Sequence, residues 1–85
     1  MREYNKWNQL NKMRGKVVLK HKLFGSQEYK CDELQVVNDD ERIGVVVKGK
    51  DLFVYKQKVV EFCVKGNTYT IGDEMLEIRV VVNKL

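Results

Sequence analysis

The run Ile43-Gly44-Val45-Val46-Val47-Lys48-Gly49-Lys50-Asp51-Leu52-Phe53-Val54-Tyr55 decides the fold class. Ile43, Val45 and Val47 alternate with Gly44, Val46 and Lys48, the two-residue period of a strand with one buried face. Lys48, Gly49, Lys50 and Asp51 read as a turn, and Leu52, Phe53, Val54 and Tyr55 as the strand that returns from it.

The same pattern extends in both directions. Upstream, Val17, Leu19, His21 and Leu23 alternate with Val18, Lys20, Lys22 and Phe24, and Gly25 with Ser26 marks a turn. The next strand starts on Tyr29 and Cys31, but its apolar phase then passes to Leu34 and Val36. A bulge or sharp bend is therefore expected near Asp32 and Glu33. Asn38, Asp39, Asp40, Glu41 and Arg42 form a polar break. Downstream, Val59 to Val64, then Tyr69 with Ile71, then Leu76, Ile78, Val80 and Val82 read as further strands. Gly66 with Asn67 closes one turn and Gly72, Asp73 and Glu74 another. Ahead of all the strands, Tyr4, Trp7, Leu10 and Met13 recur every third residue, read as the apolar stripe of a short α-helix over residues 1–14 that Gly15 stops. About seven short, closely spaced strands argue for a small, strongly bent antiparallel barrel or a sandwich.

Composition agrees. The chain has 85 residues, room for a single domain over residues 1–85, and its 14 Val, 3 Ile and 2 Thr without one Pro favour strands. Cys31 and Cys63 are too few for a disulfide scaffold and show no zinc-ligand spacing, so reduced thiols and a cytoplasmic location are expected. No apolar run approaches the roughly 20 residues of a membrane helix, and no membrane partner is expected. The net charge of +4 is unevenly placed: residues 1–30 carry 8 basic and 2 acidic side chains, residues 31–85 carry 8 and 10. The basic third, with Lys6, Lys12, Arg14 and Lys16, is the expected surface for phosphates.

The order of elements resembles the Sm-like (LSm/Hfq-like) family of small β-barrels. Leu52, Phe53, Val54, Tyr55, Lys56 and Gln57, followed by Val59 and Val60, are similar to that family's second motif, with Gln57 where the bacterial pattern has His. Arg14 and Gly15 before Val17, Val18 and Leu19 are similar to its passage from helix to first strand. The resemblance implies a five-strand barrel over residues 16–64, assembly as a homo-oligomeric ring, and single-stranded RNA as the partner. It also implies roles for Tyr55 as a base-stacking wall and for Lys56 and Gln57 beside it. Residues 67–83 then read as an additional hairpin placed at the edge through which such rings close.

Catalysis is not expected. The chain has one His and one Ser, and the only pairing in view is His21 with Cys31, brought together if the first hairpin turns at Gly25 and Ser26. Asp39, Asp40 and Glu41 lack the spacing of a calcium loop, so neither metal nor cofactor is expected. The alternative function is a protein-interaction or assembly module, such as a small accessory protein of a mobile element. It would act by β-edge pairing through the last strand, whose Leu76, Ile78, Val80 and Val82 face is backed by Val81, so that it is apolar on both sides near its end, or by oligomerisation.

Overall fold

A strict spacing of three is the period of a 3-10 helix, in which residues i and i+3 eclipse one another. Tyr4–Leu10 forms that helix in place of the α-helix expected over residues 1–14, of which residues 1 and 2 lie outside the described residues. Residues 3–83 are described by the structure, a computed structural model. Trp7 and Leu10 point into the core and are fully buried, and the Trp7 indole N–H donates to the Gly44 carbonyl at 2.9 Å. Lys12 follows with φ +68°, a left-handed kink that lets the chain leave the helix before Gly15 opens the first strand.

Eight strands follow: β1 (Gly15–His21), β2 (Gly25–Cys31), β3 (Gln35–Asn38), β4 (Arg42–Val47), β5 (Lys50–Tyr55), β6 (Glu61–Lys65), β7 (Thr68–Gly72) and β8 (Leu76–Val82). They form two antiparallel sheets, ordered β2-β1-β8-β7-β6 and β3-β4-β5. The strands thus follow one another around the molecule in chain order, with β8 returning to pair with β1. The hydrogen-bonded ladder is broken between β2 and β3 and between β5 and β6, so the expected five-strand barrel over residues 16–64 is replaced by two packed sheets without closure. The apolar slip at Asp32 and Glu33 is one of these breaks: of the bulge or sharp bend expected there the bend forms, and through it the chain changes sheet.

The hairpin at residues 67–83 forms as expected, yet it is no appendage. It supplies β7 and β8, and β8 stands at the centre of the larger sheet, paired to β1 from Gly15↔Val82 to His21↔Leu76 and to β7 from Thr68↔Val81 to Gly72↔Glu77. Its inner face, Ile78, Val80 and Val82, is buried and both its edges are paired, so it is not the free edge proposed for assembly.

Turn chemistry corrects the first hairpin as well. Its turn is Lys22 to Phe24, with Gly25 at φ +85° already inside β2 and pairing with His21. Leu23 and Phe24, read as strand residues, stand 73% and 80% exposed at its tip. The second hairpin forms where it was read but with a shorter turn: Lys48 and Gly49 both have positive φ, the two-residue turn that matches strand twist, and Lys50 and Asp51, read as turn, already belong to β5.

The core lies between the sheets, where Val17, Ile71, Ile78 and Val80 of one meet Ile43, Val45, Val47 and Val54 of the other, with Leu34 at the junction. Phe62 and Tyr69 meet the helix: Tyr4 and Phe62 rings lie edge to face at 5.2 Å, and Tyr69 Oη donates to Gln9 Oε1 at 2.9 Å. Gly44 is required by close approach, since a Cβ there would stand 1.9 Å from the Leu52 carbonyl oxygen.

Candidate nucleic-acid interface

The residues that the sequence grouped together are separated by the fold. Tyr55 ends β5 opposite Arg42, on the solvent face of the three-stranded sheet. Its ring meets Phe53 edge to face at 5.4 Å, and the Arg42 guanidinium lies 5.1 Å from the Phe53 centroid. Tyr55 is 43% exposed, so a stacking surface exists. The charge beside it has the wrong sign for phosphate: Asp40, Glu41, Tyr55 and Gln57 line one cleft.

Lys56 turns away from that cleft. Its backbone N–H donates to the Glu41 carbonyl at 2.8 Å, its Nζ donates to the Asp39 carbonyl, and the same ammonium lies 5.2 Å from the Tyr4 ring centroid. It ties the acidic loop to the N-terminal helix. Asp39 completes the loop: Oδ1 accepts the backbone N–H groups of Glu41 and Arg42 at 2.9 and 2.7 Å, and Oδ2 accepts the Arg42 side chain at 2.8 Å. These donors, the two backbone groups foremost and the guanidinium after them, hold its carboxyl down to about 2. Arg42 is thereby neutralised by its own loop.

The basic residues divide in the same way. Lys6 pairs with Glu3 at 2.8 Å within the helix, and Lys12 stands exposed on the kink behind it. Arg14 and Lys16 instead converge with Lys30, a residue the sequence placed on the basic surface but not in the site. Together with Gly15, Cys31, Asp32, Val81 and Asn83 these three cations line a groove of about 420 Å³. The register explains the convergence: Lys16 lies directly opposite Lys30 across β1 and β2, and opposite Val81 on its other side. Val81 faces Thr68, and Thr68 faces Lys65, so one row across all five strands carries three lysines and no carboxylate. With strands about 4.8 Å apart the row spans about 19 Å. Arg14 to Asp32 at 3.5 Å and Lys16 to Glu28 at 3.4 Å are exposed, loose pairs that leave the cations open to a ligand.

The opposite end of this face is acidic. Glu61 and Glu77 both lie opposite Gly72, whose missing side chain lets the two carboxyl groups meet. Burial, the hydrogen bond with Glu77 and its charge raise the Glu61 pKa, and Arg79 Nη2 stands 3.3 Å from Glu77 Oε2.

The expected approach of His21 to Cys31 does not occur. His21 pairs with Gly25 and Cys31 with Gly15, at opposite ends of the hairpin, because the turn is centred on Leu23. His21 Nδ1 accepts the Leu23 N–H at 3.1 Å and so closes the turn, while burial pushes the Cys31 thiol up. Among the described residues no group of three or more His, Cys, Asp or Glu is placed to hold a metal, and no helix is long and apolar enough to cross a membrane. No family model, curated protein or solved structure matches the chain.

Proposed function

We propose that the protein is a non-catalytic binding module that holds single-stranded RNA by its phosphates along the Lys30, Lys16 and Lys65 row, with Arg14 at its mouth. The observation that carries this reading is the direct cross-strand pairing of Lys16 with Lys30. Like charges in that position destabilise a sheet by up to about 1 kcal/mol, and a bound phosphate removes the repulsion. One line of cations suits one backbone better than two, and the exposed Tyr55 ring, backed edge to face by the half-buried Phe53, offers an unpaired base a platform elsewhere on the surface. The reading keeps the partner that the Sm-like resemblance implies and moves its contact from Lys56 to the lysine row.

Fluorescence anisotropy with labelled oligouridylate, oligoadenylate and duplex RNA tests it. Affinity for the single strands is expected to fall steeply between about 50 and 200 mM salt, with a log–log slope of about 0.7 per phosphate neutralised. Lys16→Glu with Lys30→Glu is expected to abolish binding. A flat salt response, or affinity unchanged by the double reversal, overturns the proposal. A second reading, an assembly module, is favoured by one observation: β5 is paired on one side only.

A further inference from the structure

The four outer strands of the two sheets are not equivalent. The outer edge of β3 is covered, because Asn11 Oδ1 accepts the Val36 N–H at 3.2 Å and Asn38 Nδ2 donates to the Tyr4 carbonyl at 3.1 Å. The outer edge of β2 carries Ser26, Glu28 and Lys30, the polar and charged side chains that discourage pairing. β5 is uncovered, and its charged residues, Lys50 and Asp51, stand only at the turn end, leaving Leu52 to Tyr55 without a charge. The Lys56 N–H bonds the Glu41 carbonyl, which fixes the alternation of the β4–β5 ladder: Val54, Leu52 and Lys50 direct their backbone groups at β4. The N–H and C=O groups of Asp51, Phe53 and Tyr55 therefore point outward, and no other hydrogen bond among the described residues takes them up.

We infer that β5 pairs with β5 of a second copy, antiparallel about a two-fold axis through Phe53. This deepens the assembly reading and rests on it. The edge is self-complementary in that register: Phe53 faces Phe53 of the other copy, and each Asp51 faces the other copy's Tyr55. All three positions direct their backbone groups outward, so each pair exchanges two hydrogen bonds. The carboxylate of Asp51 then stands across from a phenol that can donate to it. Pairing keeps the two solvent faces continuous in one six-stranded sheet.

Head-to-tail pairing of β5 with β6 is the competing geometry. The outward backbone groups of β6 belong to Phe62 and Val64, because Glu61, Cys63 and Lys65 bond β7. Phe62 and Val64 pack against the core, so that pairing sets the solvent face of one copy in line with the core face of the next. It also joins two residues where the two-fold joins three.

Sedimentation of the full chain over a range of concentrations, together with oxidation of Phe53→Cys in a Cys31→Ser, Cys63→Ser background, tests the inference. A monomer–dimer equilibrium and a disulfide-linked dimer through Cys at position 53 are expected, since hydrogen-bonded partners lie about 5.5 Å apart at Cα, within disulfide reach. Phe53→Pro, which removes an N–H the folded monomer does not use, is expected to shift the protein to monomer with an unchanged circular dichroism spectrum. A monomer at every concentration overturns both the two-fold and the assembly reading. A dimer or larger ring in which position 53 stays reduced under oxidation overturns the two-fold alone.

Discussion

Trp7 and Gly44 are bonded through the indole N–H and a strand carbonyl at 2.9 Å, and both are buried. This bond fastens the 3-10 helix to the three-stranded sheet, the one opposite the lysine row. Trp7→Phe keeps the aromatic bulk and loses this bond while the carbonyl keeps its ladder partner Val37, and is expected to cost about 0.5–1.5 kcal/mol. Trp7→Ala also opens a cavity and is expected to cost about 3–5 kcal/mol. Urea unfolding followed by circular dichroism measures both. Gly44→Ala forces a Cβ against the Leu52 carbonyl and is expected to be worse than Trp7→Phe.

Lys56 is expected to matter for stability and not for RNA. Its ammonium is held by the Asp39 carbonyl and the Tyr4 ring. Lys56→Ala is expected to cost about 1 kcal/mol of stability and to leave RNA affinity within about twofold of the wild type. Unfolding and anisotropy on the same variant separate the two roles.

Asp39 gives the fold an acid limb. Its folded pKa of about 2 lies below the ordinary 3.8, so its contribution is fully present above the ordinary value and is lost as pH falls through about 2. Urea midpoints measured from neutral pH down to pH 2 are expected to fall over that window in the wild type. Asp39→Ala is expected to be less stable at neutral pH and to lack this part of the acid loss.

Glu61 works in the opposite sense. Its pKa is raised in the fold, so the folded state holds the proton longer than the unfolded chain does, and stability falls as pH rises through the ordinary carboxylate range toward the raised value. Glu61→Gln keeps a hydrogen-bonding partner for Glu77 and is expected to stabilise the protein at neutral pH. Its pH profile above the ordinary carboxylate range is expected to be flatter than that of the wild type.

Local chemistry was legible in the sequence and long-range pairing was not. The alternation from Ile43 to Val47 and the turn at Lys48 and Gly49 gave the second hairpin correctly, because strand period and positive φ are properties of a few neighbouring residues. The mainly β class followed from the same signals. The change of sheet after Cys31 leaves only a slip of phase, which a bulge produces equally well. The central place of β8 depends on β1, more than fifty residues away, and nothing within Leu76 to Val82 distinguishes a doubly paired strand from an apolar edge. In the site, Lys56 reads as a free cation until Tyr4 is seen beneath it. Lys30 joins Lys16 only once the hairpin is centred on Leu23; centring it on Ser26, as Gly25 suggested, breaks that pair and brings His21 against Cys31 instead.

The place of β8 also sets the order in which the protein can be finished. During synthesis β1 and β2 emerge first, and Val17 and Leu19 then wait beside an empty slot while six more strands are made. The strand that fills the slot is the eighth, so the larger sheet closes only after the other seven strands have left the ribosome. Folding led by so distant a contact is slow, and the waiting edge is open to aggregation. A nascent chain stalled before Leu76 is therefore expected to bind chaperones, and one released past Val82 to escape them.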